Sequence, residues 1–93
     1  MIDKKVDCMQ IRYSDQALKF LTKLRKQDAK RIVSKIEQYA ENPVTLQNQV
    51  KKLTNGMYFR LRVGDYRIIF SETGKIMKIK KIGNRGNTCR EYR

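Results

Sequence analysis

Met9, Ile11 and Tyr13 alternate with Gln10 and Arg12, the period of a strand with one face buried. Ser14 follows where a helix N-cap belongs, and Asp15 complements the dipole of the first turn. Ala17, Leu18, Leu21 and Leu24 recur at helical spacing and predict a first helix over 15–25. The pattern breaks near Arg25-Lys26-Gln27. Asp28 can cap a second helix, in which Ile32, Val33, Ile36, Tyr39 and Ala40 make one apolar stripe. Asn42-Pro43 ends it, because the residue before a proline is pushed out of the helical region. Two amphipathic helices with a short link predict an antiparallel hairpin.

The period changes near residue 44. Residues 44–50 read as a loop, and Lys51-Lys52-Leu53 leads to a turn at Thr54-Asn55-Gly56. Phe59, Leu61 and Val63 then alternate with Tyr58, Arg60 and Arg62. Gly64-Asp65 turns the chain into a more continuously apolar strand over 66–71, and Glu72-Thr73-Gly74-Lys75 turns it again. Met77 and Ile79 alternate with Lys78 and Lys80. Runs of this kind joined by short turns predict a three-stranded meander. The expected order is β-α-α-β-β-β, an α+β domain with a twisted antiparallel sheet and the helical hairpin packed on one face. At 93 residues one domain is expected, spanning 1–93, with residues 1–6 and 90–93 as loose ends.

The alternation fixes where charge goes. If Phe59, Leu61, Val63, Met77 and Ile79 face the helices, then Arg60, Arg62, Lys78 and Lys80 face away. A slip of one residue would bury the charges, so this polarity is strongly specified. The composition deepens the pattern. Lys and Arg number 22 against 9 Asp and Glu, a net charge of +13 and a pI near 10.1. The excess is uneven: 10 basic and 6 acidic residues in 1–50, but 12 and 3 in 51–93. Solubilising faces normally mix signs, and like charges side by side repel. A polyanionic partner, nucleic acid before an anionic membrane, accounts for a face that tolerates such repulsion. No helix pairs a broad apolar face with a purely basic one, which argues against a membrane surface.

Other chemistry is narrowed by what the chain lacks. It has no histidine and two cysteines, Cys8 and Cys89, with no CxxC, so a zinc site is not expected and no cofactor is. Free thiols in a reducing cytoplasm are the expected state. The first 13 residues show no signal-peptide pattern, and no stretch reaches membrane-spanning length.

Three strings stand out: Lys51-Lys52-Leu53, the run FRLRVGDYR over 59–67, and Ile82-Gly83-Asn84-Arg85-Gly86. A β-α-α-β-β-β chain containing KKLTNGMYFRLRVGDYRIIF and then KIGNRG resembles the RelE/ParE superfamily of bacterial and archaeal toxins over residues 9–89. The resemblance implies a RelE-like fold and a cognate antitoxin, expected to be acidic and to wrap the basic face. It also implies one of two targets. RelE-like members cut messenger RNA in the ribosomal A site, whereas ParE-like members inhibit DNA gyrase without hydrolysis. A plain nucleic-acid-binding domain is a third class, disfavoured by the specificity of the RVGDYR string.

By this resemblance Arg67 occupies the family's catalytic YR arginine, and Arg85 the arginine of the RG turn. Arg60 stands where some RelE enzymes have a lysine proposed as base or stabiliser. Arginine suits the task, since its planar fork grips phosphate oxygens in two places and stays charged. Many members place a tyrosine four residues after the RG arginine. Here Cys89 stands there, and Tyr92, three residues on, is the expected proton carrier. Lys51, Lys52, Arg62, Lys78, Lys80 and Lys81 are expected to hold the RNA backbone, with Tyr58 stacking on a base. The plainer role for Arg67 is an ion pair with Asp65 or Glu72 that holds a hairpin. The reading carried forward is a ribosome-dependent endoribonuclease, with the gyrase-type toxin as its alternative.

Overall fold

The computed structural model describes residues 9–53 and 56–84. In chain order these form β1 (Gln10–Tyr13), α1 (Asp15–Lys23), α2 (Lys26–Glu41), a 3-10 segment (Pro43–Gln49), β2 (Val50–Lys52), β3 (Phe59–Val63), β4 (Tyr66–Glu72) and β5 (Ile76–Asn84). Cys8, Arg85, Cys89 and Tyr92 lie outside the described residues, as do both chain ends and Thr54-Asn55 of the expected turn.

Ser14 caps α1 as expected: its Oγ accepts from the Ala17 amide at 3.1 Å. The same hydroxyl donates to the Lys80 carbonyl at 2.7 Å, tying the cap to β5. Two residues on, Gln16 clamps the Ile82 backbone. Its Nε2 donates to the Ile82 carbonyl at 3.1 Å, and its Oε1 accepts from the Ile82 amide at 3.0 Å. The second helix starts earlier than the sequence suggested. Arg25 is its N-cap, without a side-chain cap bond, and Asp28 sits inside the first turn. There its carboxylate faces the positive end of the helix and accepts from the Tyr66 hydroxyl at 3.4 Å.

The sheet order is β1-β5-β4-β3-β2. The meander β3–β4–β5 is antiparallel throughout. The outer strands refine the expectation. β1 adds to the free edge of β5 in parallel, so the sheet is mixed. Residues 44–52 are not a plain loop. The 3-10 segment buries Leu46, and β2 pairs antiparallel with β3. The helical hairpin thus carries the chain from one edge of the sheet to the other.

Both helices cover the same face. Ala17 of α1 and Ile32, Ile36, Tyr39 and Ala40 of α2 pack with Leu61, Val63, Ile68, Phe70, Met77, Ile79 and Ile82. Each large aliphatic buried this way contributes about 1.5–3 kcal/mol. The pattern along β5 needs a phase change, because Met77 and Ile79 are odd-numbered and Ile82 is even. A register shift opposite Ile69-Phe70 supplies it: Ile69 pairs with Lys81 and Phe70 with Ile79, leaving Lys80 as the extra residue of a bulge. At the β3–β4 turn Gly64 takes φ +58°, a left-handed conformation that favours glycine. Among the described residues, no helix is long and apolar enough to cross a membrane.

Candidate nucleic-acid interface

Residues directly opposed across paired strands share a face. The register therefore lays out the sheet's open side in rows. One row runs Lys51–Arg60–Ile69–Lys81 across β2, β3, β4 and β5. The next runs Arg62–Arg67–Gly83. A third, toward the other end, runs Ser71–Lys78–Arg12. No acidic residue appears in any of them. Glu72, the acid within these strands, points to the helix side and accepts the Tyr39 hydroxyl there.

Arg62 and Arg67 face each other as a cross-strand pair. Two like charges on such a pair repel, and a guanidinium is suited to binding phosphate oxygens. Arg67 is half-buried, and its Nη1 donates to the main-chain carbonyls of Gly64 at 3.3 Å and Tyr66 at 3.1 Å. The β3–β4 turn thus presents its own carbonyls to orient this side chain. Glu72 does not take the pairing role considered for it, being committed to Tyr39 across the sheet.

Arg60 is the second unusual group. It stands opposite Ile69, which is fully buried although it lies outside the helix-side core. The Arg60 Nε is buried and finds no hydrogen-bond partner among the described residues. A buried donor left unmade costs about 1–3 kcal/mol. Beside it, Gln47, Asn48, Gln49, Val50, Lys51, Arg60 and Arg62 line a surface cleft of about 350 Å³.

The structure brings Lys51, Arg60, Arg62, Arg67, Lys78 and Lys81 onto one face. Lys80 sits at the bulge, half-buried, and helps line a smaller hollow of about 160 Å³ with Arg12 and Lys78. Lys52 is not among them. It opposes Phe59, on the helix side, and its Nζ lies 5.9 Å from the Phe59 ring centroid. Tyr58 stands half-buried just ahead of β3. Arg85 and Tyr92 lie outside the described residues. Arg12 joins the face unforeseen: its outward position was legible in the alternation of β1, but not that β1 would lie beside Lys78.

Two helix-side tyrosines, Tyr39 and Tyr13, are shifted toward the neutral form. Burial, and then the hydrogen bond to Glu72, push Tyr39 well above its ordinary range. Burial and the nearby Glu37 raise Tyr13. Tyr39 is packed in the helix-side core, whereas Tyr13 also lines the small hollow beside Arg12 and Lys78.

A family model described as the ParE toxin of type II toxin-antitoxin system, parDE, matches residues 11–88. The chain belongs to the RelE/ParE toxin superfamily. A chain of the archaeal RelE–RelB complex from Pyrococcus horikoshii OT3 is 30% identical to this toxin, with a TM-score of 0.72, covering 86% of this chain and 98% of that one. The RelB–RelE antitoxin–toxin complex from Methanococcus jannaschii contains a chain 24% identical, at TM-score 0.64, over 87% and 98% of the two chains. The YoeB dimer from Staphylococcus aureus matches at 21% identity and TM-score 0.63, over 78% and 92%. The last two show the shared fold. Among curated protein sequences none matches the toxin.

Proposed function

We propose that this toxin is a ribosome-dependent endoribonuclease that cuts messenger RNA and blocks translation in the cytoplasm. The open face of the sheet carries the reading: rows rich in Lys and Arg, no acidic residue among them, and Arg67 bonded to carbonyls at the turn before it. Cleavage through the 2′-hydroxyl needs fixed cations on the phosphorane-like transition state, a base for the hydroxyl and a proton for the leaving oxygen. Cations aimed at developing negative charge are commonly the largest catalytic contribution. Arg67 supplies one, Arg62 across from it and Arg60 in the next row support it, and Arg85 adds the second main arginine. Tyr92, with Cys89 as the thiol alternative, handles the proton, since the chain has no histidine. Lys51, Lys78, Lys80, Lys81 and Arg12 hold the RNA backbone. Lys52, on the helix side, plays at most an edge role, and Tyr58 at the start of β3 offers a stacking ring.

A cognate acidic antitoxin is part of the same reading. Its carboxylates would relieve the repulsion between Arg62 and Arg67, and a segment that folds on binding could cover several rows at once. The antitoxin–toxin complexes among the structural relatives support such a partner.

The match to the ParE family model favours a second reading, a gyrase-directed toxin that cuts nothing. Primer extension across messenger RNA after brief induction, beside a gyrase supercoiling assay, separates the two. Discrete new 5′ ends with unaffected supercoiling support the nuclease; inhibited supercoiling with intact messages supports the alternative.

A further inference from the structure

The cleft beside β2 has a composition that backbone binding does not require. Its volume, about 350 Å³, lies at the lower end of small-molecule pockets. Three consecutive residues that carry side-chain amides, Gln47, Asn48 and Gln49, line it. All three are exposed, whereas the segment that carries them is anchored by buried Leu46. Packing therefore does not explain them. A side-chain amide offers a donor and an acceptor a short distance apart, the complement of a nucleobase edge. Phosphate alone would use the N–H donors of these amides and leave their acceptor oxygens unused, whereas a base edge can engage both. The cations are present too: Lys51, Arg60 and Arg62 also line the cleft, and the Arg60 Nε has no hydrogen-bond partner among the described residues.

We propose that this cleft is a nucleotide subsite that reads one base of the bound RNA. The Gln47–Asn48–Gln49 amides contact the base edge, and Lys51, Arg60 and Arg62 take its phosphate, giving the orphaned Arg60 donor an acceptor. Its position next to the Arg62–Arg67 row places the read base adjacent to the phosphate those arginines bind. That adjacency rests on the RNA-cleavage reading; the base-reading property of the cleft can be tested without it. The amides make it a specificity element, since a carboxylate, which has no donor, leaves their acceptor oxygens unused.

The direct test is an NMR titration of the full-length toxin with AMP, GMP, CMP, UMP, ribose 5-phosphate and a glutamate-rich peptide, following the side-chain NH₂ signals of residues 47–49. One nucleotide should bind about tenfold tighter than ribose 5-phosphate, as one good base-edge contact provides, and should move those signals. In a Gln47→Ala/Asn48→Ala/Gln49→Ala variant, melting like wild type, that advantage should vanish and binding should fall to the ribose 5-phosphate level. Equal affinity for ribose 5-phosphate and every nucleotide would reduce the cleft to an anion site and overturn the proposal. So would silent amide signals, or displacement of all four nucleotides by the peptide at lower concentration. Mapping of cut sites gives the second arm: the triple variant should lose base preference at one position beside the cut, and an unchanged preference counts against the subsite. If wild type cuts no RNA, the nuclease reading fails, while the titration still decides the subsite.

Discussion

On its helix side β3 presents Phe59, Leu61 and Val63; on its open side it presents Arg60 and Arg62. One five-residue strand thus serves two opposite demands, and the same division runs through β1, β4 and β5. The helix side gains from burial, with Phe70 stacked 5.4 Å from Phe59 and edge-on to Tyr39 at 5.0 Å. The open side buries Ile69 but is otherwise dominated by charge. It juxtaposes Arg62 with Arg67, and the Arg60 Nε there has no hydrogen-bond partner among the described residues. A small domain of this kind has only about 5–15 kcal/mol of net stability. Keeping unfavourable electrostatics on one face is therefore informative: the helix side explains why the chain folds, and the open side explains what it is folded to hold.

Substitutions should obey the same division. The largest effect belongs to the helix side. Phe70→Ala removes the centre of the aromatic cluster and should cost about 3–5 kcal/mol, enough to unfold much of the protein at 37 °C; a urea melt reads it directly. On the open side, Arg67→Ala should leave the melt near wild type and lower cleavage about 10²–10³-fold. Normal cleavage by a folded Arg67→Ala protein would remove the nuclease reading and move the gyrase-type alternative ahead.

A smaller effect ties the helix side to pH. The folded protein raises the Tyr39 pKa above its unfolded value of 10.0, so the protonated form is favoured in the fold. That contribution is fully present below about pH 10 and is lost as pH rises from there toward the folded pKa. Melting temperature should therefore fall above about pH 10 in wild type. Tyr39→Phe should be less stable at pH 7 by about 1–3 kcal/mol, because Glu72 loses its donor, and should show a shallower alkaline decline. The smallest effect is on the open face. Arg12→Ala with Lys78→Ala should reduce the salt dependence of RNA binding by about 0.7 in log–log slope per lost phosphate contact. An unchanged slope would take the Ser71–Lys78–Arg12 row out of the interface.

Much of this division is legible in the sequence, because a period of two sorts side chains without knowledge of strand partners. It yields the helix-side core from Leu61, Val63, Met77 and Ile79 and the outward Arg60, Arg62 and Lys78. The Ser14 cap is legible too, since its chemistry is local. What escapes is set by pairing. A three-residue strand, Val50–Lys52, is too short to show a period, so neither β2 nor the helix-side position of Lys52 could be read. Leu46 is buried from a 3-10 segment that has no longer pattern to betray it. The bulge at Lys80 breaks strict alternation, which alone would not place Lys81 beside Ile69. Arg12 becomes part of the face only because β1 docks in parallel on β5, and the cleft of residues 47–49 exists only because β2 pairs with β3.

The central claim, that one face of the sheet does the work, is tested most directly by removing equal charge from the two sides. Ribosome-programmed messenger RNA cleavage is measured for wild type, for Arg60→Ala/Arg62→Ala on the open face, and for Lys19→Ala/Lys30→Ala on the helices, each with its melting curve. Each variant lowers the net charge by the same amount, so a general electrostatic attraction to the ribosome would weaken both alike. The account predicts that the open-face variant loses cleavage by about 10²-fold or more while the helix variant stays within a few-fold of wild type. Equal losses in the two folded variants, or a larger loss from the helices, would contradict it.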